Sequence, residues 1–359
     1  MSRILYGVSG EGSGHSSRAM EIGRHLLAEG HQLKMVTYDR GLKALAGEFD
    51  CFAIEGLHIV SDDNRVRPLK TVWNNLRRAP RAVRRLIALR RMIREFQPDV
   101  VLTDFEPTSA WLAWFFDLPL ISLDNQHRMR YMSYESPPGL SWSRRITETI
   151  IKLMIPAPDA ALATTYFFGE PRNDRTFLFP PILRREVLEC RPYQGGHHLV
   201  YVTSEFASLL GLLRQFPEHQ FIVYGSSQQG EDANLTFRPF SVDGFLRDLE
   251  SCQSVIATAG FTLISEALYL GKPYLALPMQ GQFEQQLNAF CLEQLGYGMS
   301  AAPVGVRQLA RFFDNLPALS ESAQRYADSQ KISDVTQANL GIRTKLDELL
   351  GQKLQQLHR

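Results

Sequence analysis

Short apolar runs alternate with segments of helical periodicity along the chain, and this alternation constrains the fold more than any other feature. The first half contains RILYGV, HQLKMVTY, DVVLTD, LPLISL and DAALATT, and the second half starts again with HHLVYVT, HQFIVYG, SVIATA and PYLALP. Apolar strands separated by helices are typical of parallel α/β sheets. We therefore predict an α/β protein of two doubly wound, Rossmann-like domains that face one cleft, with ligands bound where strands end.

Chain length and one proline-rich segment predict where the domains divide. The 359 residues, 44% of them apolar, are enough to build a core in each of two domains. The segment FLFPPILRREVLECRPYQGG lies between the halves and ends in paired glycines, as linkers do. We predict an N-terminal domain over 1–180, a linker over 181–197, a C-terminal domain over 198–335 and a C-terminal helix over 336–359.

Composition argues against several classes of protein. The 39 basic and 38 acidic residues nearly cancel, so bulk charge gives no reason to expect a nucleic-acid partner. The four cysteines are scattered and lack the spacing of a zinc site, which suits a reducing compartment. The N-terminus lacks the pattern of a signal peptide, and no run reaches about 18 apolar residues. We expect a cytoplasmic protein.

The stretch GVSGEGSGHSSRAME, residues 7–21, places a glycine loop and a histidine between the first strand and a helix. A dinucleotide fingerprint needs a third glycine where His15 stands, and Glu11 would repel a diphosphate. Asp39 could still imitate the ribose-binding acid of a dehydrogenase, which we keep as a minor alternative. The positive end of a helix favours the neutral imidazole that a general base needs. His15 is therefore either that base or an ordinary helix-start residue.

A second informative stretch covers residues 257–289, ATAGFTLISEALYLGKPYLALPMQGQFEQQLNA. The strand ends near Gly260, and a helix begins at Phe261 and Thr262, so unpaired N–H groups would face a diphosphate. Glu266, one turn into that helix, could accept hydrogen bonds from ribose hydroxyls. Amide side chains follow the next strand and suit sugar hydroxyls; this amide cluster contains Gln282, Gln285, Gln286 and Asn288. An ordinary exposed helix start is the alternative interpretation.

With GEGSGH after the first strand and the 257–289 stretch near the end, the chain resembles the GT-B glycosyltransferases. The branches most similar to it include the lipid II N-acetylglucosaminyl transferase and the macrolide and plant glucosyltransferases. The resemblance implies an N-terminal domain that binds the acceptor and a C-terminal domain that binds the nucleotide sugar. It makes His15 the acceptor's base and assigns the acceptor loop to Gly12, Ser13 and Gly14. The donor residues that it implies are Ser204, Phe240, Gly260, Phe261, Thr262, Glu266, Gln285 and Gln286.

The chain departs from the lipid II branch at one loop. That branch has a glycine- and serine-rich loop after the first strand of its second domain, whereas this chain reads VYVTSEFASLL there. Ser204 can supply a hydroxyl, but Glu205 beside it disfavours close phosphate contact, which leaves the phosphate to the loop at Gly260. Because no pair of metal-binding carboxylates stands out, we expect neither a metal ion nor a cofactor besides the nucleotide sugar.

Asp104 is the candidate partner of His15. It ends the strand in PDVVLTDFEPTSAW and matches the aspartate that orients the base in the plant branch. An aspartate fixes the histidine tautomer and stabilises the imidazolium that forms. Glu106 and Asp124 compete for this role, and a helix cap is the alternative for Asp104. Retaining GT-B enzymes carry glutamates eight positions apart, but Thr258 stands eight before Glu266, so inversion is expected.

The segment RVRPLKTVWNNLRRAPRAVRRLIALRRMIR, residues 65–94, holds ten arginines, one lysine and no acid. It is predicted as an amphipathic helix in which Val83, Leu86, Ile87 and Ile93 face a core. The stretch from Arg77 to Arg94 would suit an anionic membrane surface, which would place the protein on the inner face of the membrane. A solvated arginine face and an anionic glycan are the alternatives. Nucleic acid is not expected, since no recognition motif is present.

These patterns and the resemblance to the GT-B glycosyltransferases together imply an inverting, metal-independent glycosyltransferase. It would move a hexosyl or N-acetylhexosaminyl group from a uridine-diphosphate sugar to an acceptor hydroxyl of a glycan or of a lipid-linked molecule. A nucleotide-sugar 2-epimerase of the same fold is the nearest enzyme alternative. A non-catalytic protein that senses a nucleotide sugar or lipid is the other.

Overall fold

The computed structural model describes residues 1–56, 61–62, 65–66, 68–201, 207–331 and 339–357. By compactness these form two units. The first consists of the described residues within Met1–Ser61, Val66–Arg184 and Thr336–Arg359, and the second of those within Asp62–Arg65 and Arg185–Val335. The boundary between Arg184 and Arg185 falls inside the range predicted as linker, and the C-terminal segment belongs to the first unit.

Strands and helices alternate through the first unit, as the apolar runs predict. Its strands are β1 (Arg3–Val8), β2 (Gln32–Thr37), β3 (Cys51–Ala53), β6 (Val100–Asp104), β7 (Leu120–Asp124), β8 (Met132–Ser133), β9 (Ala160–Thr164), β10 (Glu170–Pro171) and β11 (Thr176–Phe179). The short strands β4 (Ser61–Asp62) and β5 (Arg65–Val66) pair with each other, and each has one residue in either unit. Its helices are α1 (Ser13–Ala28), α2 (Asp39–Leu45), α3 (Pro68–Phe96), α4 (Pro107–Phe115), α5 (His127–Tyr131), α6 (Ser141–Met154) and, near the C-terminus, α14 (Leu340–Leu357).

The same alternation builds the second unit. Its strands are β12 (His197–Tyr201), β13 (Gln220–Tyr224), β14 (Gly230–Asp232), β15 (Leu235–Phe237), β16 (Val255–Thr258), β17 (Tyr274–Leu277) and β18 (Gly298–Ser300). Its helices are α7 (Arg185–Leu188), α8 (Ala207–Leu213), α9 (Val242–Ser251), α10 (Phe261–Tyr269), α11 (Phe283–Gln294), α12 (Val306–Asp314) and α13 (Leu316–Lys331).

Each unit is organised around a seven-stranded sheet. The first sheet has the order β11-β9-β7-β6-β1-β2-β3, and its neighbouring strands are parallel. The second has the order β14-β15-β13-β12-β16-β17-β18, and only its edge strand β14 runs antiparallel to its neighbour. The predicted α/β class with two doubly wound parallel sheets is confirmed. In both sheets the order reverses beside the first strand of the unit, where such folds bind ligands.

Helices cover both faces of the first sheet. On one face, Ile22 and Leu26 of α1 and Ile342 and Leu346 of α14 pack with Ile4 and other strand residues. On the other face, α3, α4 and the residue that follows α6 pack on the sheet through Leu89, Met92, Ile93, Ala110, Leu112, Ala113 and Ile155. The strand residues are buried from both sides, which explains their nearly continuous apolar sequence.

Local structure departs from the sequence interpretation in two places. The segment FLFPPILRREVLECRPYQGG begins with residues of β11, because the aromatic and β-branched residues before Pro180 extend the first sheet beside β9, whereas the range predicted as linker, 181–197, begins after that strand. In α3, Val83, Leu86 and Ile87 are exposed, and only Ile93 of the four predicted core residues is buried. A helix of 29 residues is about 43 Å long, whereas the strands beneath it span about 20 Å, so much of α3 has no sheet to cover.

Candidate active site

His15, Asp104 and Arg18 form a hydrogen-bonded group in the first unit. His15 is the third residue of α1, and Asp104 ends the neighbouring strand β6. The His15 Nδ1 atom lies 2.6 Å from Asp104 Oδ1. Arg18, one turn further along α1, donates from Nε to Asp104 Oδ2 at 3.0 Å and from Nη2 to Oδ1 at 2.7 Å. The aspartate and the arginine are buried, while 13% of the histidine side chain is exposed.

The surroundings of Asp104 determine the tautomer of His15. Burial lowers the pKa of Arg18, but Asp104 beside it outweighs burial, so the pKa of Arg18 is raised and its guanidinium stays protonated. Both carboxylate oxygens of Asp104 therefore act as acceptors. The short contact between Nδ1 and Oδ1 then requires the proton on Nδ1 of His15. The lone pair on Nε2 remains, which is what a general base uses to take a proton.

The two competing acids have other partners. The Glu106 carboxylate caps α4, accepting from Thr108 N at 2.8 Å and from Ser109 N at 2.6 Å. Burial raises the pKa of Glu106. Asp124 lies 2.7 Å from His127 Nδ1. Of the three candidate acids, Asp104 is the one in contact with His15, whereas Glu106 caps α4.

The glycine loop leaves the start of α1 open. A Cβ atom on Gly10 would collide with the backbone of Tyr38, so only glycine fits there. Gly12 has a positive φ of 81° and precedes the first residue of α1 without a side-chain cap. A Cβ on Gly12 would meet no atom within 4 Å. Gly12 and Ser13 are exposed and Gly14 is half-buried, so a ligand could approach this loop beside His15.

In the second unit, only Ala259 and Gly260 separate the end of β16 from the start of α10. This strand-to-helix turn is the one that the sequence predicts as a diphosphate site. Gly260 precedes α10 without a side-chain cap, and a Cβ there would meet nothing within 4 Å. The N–H groups of the first helical turn, including those of Phe261 and Thr262, lack acceptors within the helix. The side chain of Thr262 is half-buried and that of Phe261 is buried. Glu266, the sixth residue of α10, is only 4% exposed.

Two side chains hold this loop from behind. The Tyr274 hydroxyl donates to Thr258 O at 2.7 Å. Asn288 Nδ2 donates to Ala259 O at 2.9 Å and is fully buried. Asn288 belongs to the amide cluster expected to suit a sugar, but its contact fixes the backbone before Gly260.

Gln285 and Gln286 differ in their surroundings. Gln285 Oε1 accepts from Met279 N at 3.0 Å, and its Nε2 donates to Gln282 Oε1 at 3.0 Å. Each of these atoms keeps one further hydrogen-bonding position for a ligand. Gln286 is half-buried on the same helix, α11. Gln285 thus fixes the loop after β17 through Met279 and Gln282.

Phe240 lies in a cluster of aromatic rings after β15. Its centroid is 6.2 Å from that of Tyr201, 6.4 Å from Tyr224 and 5.8 Å from Phe245. Its side chain is nevertheless 60% exposed. A ring supported from below with a free surface above can stack on a nucleobase. Ser204 lies outside the described residues.

Arg18 is the member of the group around His15 that the sequence interpretation missed. Its spacing of three from His15 on one helix places both side chains on the same face, which was the available signal. Among the described residues, His, Cys, Asp and Glu form no group of three or more that could hold a metal ion. None of the helices in the described part of the chain is long and apolar enough to cross a membrane.

Comparisons with known proteins agree with this architecture. An uncharacterized glycosyltransferase of Methanosarcina acetivorans is 24% identical over 385 residues, covering 98% of this chain and 99% of its own. The glycotransferase of kitacinnamycin superposes with a TM-score of 0.66 at 17% identity, covering 95% of this chain and 98% of its own. A spinosyn rhamnosyltransferase solved with thymidine diphosphate gives 0.59 at 15% identity, covering 91% and 95%.

The predicted resemblance to GT-B glycosyltransferases is confirmed by these structures and by a family model. The model of glycosyl transferase family 1 matches residues 2–317, which is most of the chain. The chain belongs to glycosyl transferase family 1 and is a glycosyltransferase with the GT-B fold.

Proposed function

We propose that this glycosyltransferase moves a hexosyl or N-acetylhexosaminyl group from a uridine-diphosphate sugar to an acceptor hydroxyl, with inversion at the anomeric carbon and without a metal ion. The observation that carries this proposal is the 2.6 Å contact between His15 Nδ1 and Asp104 Oδ1. That contact leaves Nε2 of His15, a largely buried residue in the first turn of α1, as a base beside an open glycine loop. The acceptor hydroxyl binds at this loop, in the first unit.

In the proposed reaction, Nε2 of His15 takes the proton of the acceptor hydroxyl as its oxygen bonds to the anomeric carbon. The bond from that carbon to the diphosphate oxygen breaks, and its electron pair leaves with the nucleoside diphosphate. Asp104 stabilises the imidazolium through the hydrogen bond from Nδ1. Arg18 holds the carboxylate in place and keeps both of its oxygens as acceptors. Attack opposite the leaving group gives the inverted product.

The second unit binds the donor. The diphosphate lies at the N-terminus of α10, whose N–H groups and dipole stabilise the developing negative charge in place of a metal. Glu266 accepts hydrogen bonds from the ribose, Phe240 stacks on the base, and Gln285 and Gln286 contact the sugar. The spinosyn rhamnosyltransferase, of the same fold, was solved with thymidine diphosphate. A preference for uridine-diphosphate sugars is therefore tested by comparing their binding with that of deoxythymidine-diphosphate sugars.

The proposal is tested by a thermal-shift screen of uridine-, deoxythymidine- and guanosine-diphosphate sugars, followed by mass analysis of products with a panel of hydroxyl acceptors. A ligand at about 100 times its Kd stabilises a protein by roughly 2.7 kcal/mol. We expect stabilisation by uridine-diphosphate sugars, a product heavier by one glycosyl group, an inverted anomer by NMR and full activity in EDTA. A retained anomer, or activity only with added Mg²⁺, would contradict the mechanism.

We further propose that the stretch from Arg77 to Arg94 attracts the first unit to an anionic membrane and that the acceptor is lipid-linked. The Arg77 side chain lies outside the described part of the structure. Arg84 and Arg85 are exposed, and no ion pair engages either within the described residues. Arg91, in contrast, pairs with Glu95 at 2.8 Å. Each basic residue near such a surface contributes about 1 kcal/mol.

A further inference from the structure

All four tryptophans of the chain are exposed to solvent. Trp114 is 69% exposed and Trp142 is 71% exposed, and the other two are Trp73 and Trp111. Tryptophan is normally among the residues with the largest buried area, so four exposed indoles in one chain need a cause. All four lie on helices of the first unit, α3, α4 and α6.

Three of these tryptophans belong to a larger set of exposed apolar side chains on the same helices, which we call the apolar face. Ten of the exposed large apolar residues in the described chain lie on it. Its members are Val83, Leu86 and Ile87 of α3, Trp111, Trp114 and Phe115 of α4, and Trp142, Ile146, Ile150 and Leu153 of α6. The α6 residues recur at intervals of three or four, so they form one stripe.

Contacts between the helices make this face continuous. Leu86 and Arg90 of α3 and Trp111, Trp114 and Phe115 of α4 line one cavity of about 430 Å³. The Arg90 guanidinium lies 4.8 Å from the centre of the Phe115 ring. Trp111 Nε1 donates to Leu153 O at 2.9 Å, which joins α4 to α6. The buried sides of α3 and α4 and the end of α6 pack on the same sheet face, so their opposite sides share one surface.

Exposed cations accompany the apolar face. On α3 they include Arg81, Arg84, Arg85 and Arg94, and on α6 Arg145 and Lys152. A contiguous apolar patch on a soluble domain marks an interaction site. Tryptophan and arginine side chains beside aliphatic ones are the composition of a surface that enters the headgroup layer of an anionic bilayer. A second copy of this chain fits less well, since a symmetric contact would bring the same arginines together.

We propose that the apolar face inserts into the headgroup region of an anionic lipid bilayer, with Trp114 and Trp142 as its principal anchors. This inference rests on the membrane attraction proposed above. It adds the burial of specific apolar side chains in the bilayer to the attraction between arginines and anionic lipid. Attraction by arginines alone is reversible by salt, whereas burial of indole rings persists. Inserting this face would also bring the first unit, which carries the candidate acceptor loop, to a lipid-linked substrate.

The experiment measures binding of the full chain to vesicles of phosphatidylcholine alone and of phosphatidylcholine mixed with phosphatidylglycerol, by sedimentation and tryptophan fluorescence. Trp114→Ser with Trp142→Ser removes two anchors whose side chains carry no hydrogen bond within the described structure, while Trp111 is left to hold Leu153. Leu27→Ser is the matched control, since it is exposed on α1 on the other side of the sheet.

For the wild type we expect binding to the mixed vesicles, a blue shift of the emission, and quenching by brominated lipid. The double variant should bind at least about tenfold more weakly, and the Leu27 variant should bind as the wild type does. Binding that has formed should persist in part at about 1 M salt, where the Debye length is about 3 Å.

Equal binding by the double variant and the wild type, or complete release of the protein by salt, would overturn insertion. Tryptophan-dependent dimerisation in analytical ultracentrifugation without vesicle binding would overturn it too, by assigning the face to a second copy. These readouts do not use catalysis. Vesicle binding without glycosyl transfer would therefore refute the proposed transfer reaction alone. Transfer without vesicle binding would refute the insertion and the membrane attraction, but not the transfer reaction.

Discussion

Arg18 donates two hydrogen bonds to the buried carboxylate of Asp104, one to each oxygen, although the two residues are 86 positions apart in the chain. The same arginine brings Nη2 within 3.1 Å of His15 Nδ1. Positive and negative charge thus meet in the core of the first unit beside the candidate base. Each partner keeps the other from being a lone buried charge.

This relationship predicts a stability defect in Arg18→Met. Removing one member of a buried pair leaves the other uncompensated and typically costs about 3–5 kcal/mol. The free energy of unfolding in urea should fall by that order, and Arg18→Lys should restore part of it by returning the charge. Arg24→Met is the control, because Arg24 pairs with Glu48 at the surface. Equal stability of the Arg18→Met variant and the wild type would mean that the pair contributes nothing.

Glu266→Ala should weaken nucleotide binding roughly ten- to a hundredfold. A hydrogen bond to a charged group is typically worth about 1.5–3 kcal/mol, and the proposed ribose contacts would be lost. Isothermal titration calorimetry with uridine diphosphate measures the change. Glu293→Ala, at an exposed position of α11, should bind as the wild type does. If the folded Glu266 variant kept its affinity, the donor site would not include this residue.

His198 predicts how the stability of the second unit depends on pH. Burial, with His219 and His197 nearby, lowers the pKa of His198 from 6.5 to about 3. Between these values the unfolded chain binds a proton that the folded chain does not, so stability is complete above about pH 6.5 and is lost as the pH falls. One such proton contributes a slope of up to about 1.4 kcal/mol per pH unit.

His198→Asn should reduce that slope, because the amide has no proton to take up. Urea unfolding of both proteins at several pH values between about 4 and 7 measures it. The wild-type curve should fall more steeply toward acid than the variant's. Parallel curves would show that His198 is not held neutral by folding, despite its hydrogen bonds to Ser254 and His219.

Particular residues show how far the sequence could predict this molecule. The apolar strands and the turn at Gly260 follow from local pattern, since a buried parallel strand and a helix start need particular residue types nearby. Asp104, Glu106 and Asp124 lie equally near strand ends, so their partners could only be found in three dimensions. The proline after Glu106 was a usable signal, because an acid before Pro107 at a helix start favours a cap.

The apolar face shows the opposite case. Leu86 and Ile87 have the spacing of a buried apolar stripe on a helix. The residues around them in the sequence do not distinguish a stripe that packs in the core from one that is exposed for a binding partner. Their exposure depends on how far α3 extends past the sheet, which is a property of the whole unit. The contact between Arg18 and Asp104 depends likewise on the pairing of β1 with β6.

The most direct test of the central claim, that His15 is the acceptor's base, is the rate of glycosyl transfer by His15→Ala, measured together with donor affinity. Loss of a general base usually costs about 10²–10⁴ in rate, while donor binding in the second unit should be unchanged. His25→Ala is the matched control, since His25 also lies on α1 and pairs with an aspartate, Asp347, at 3.0 Å. The account predicts that only His15→Ala loses turnover. Near-wild-type transfer by that variant, or a parallel collapse of donor affinity, would contradict it.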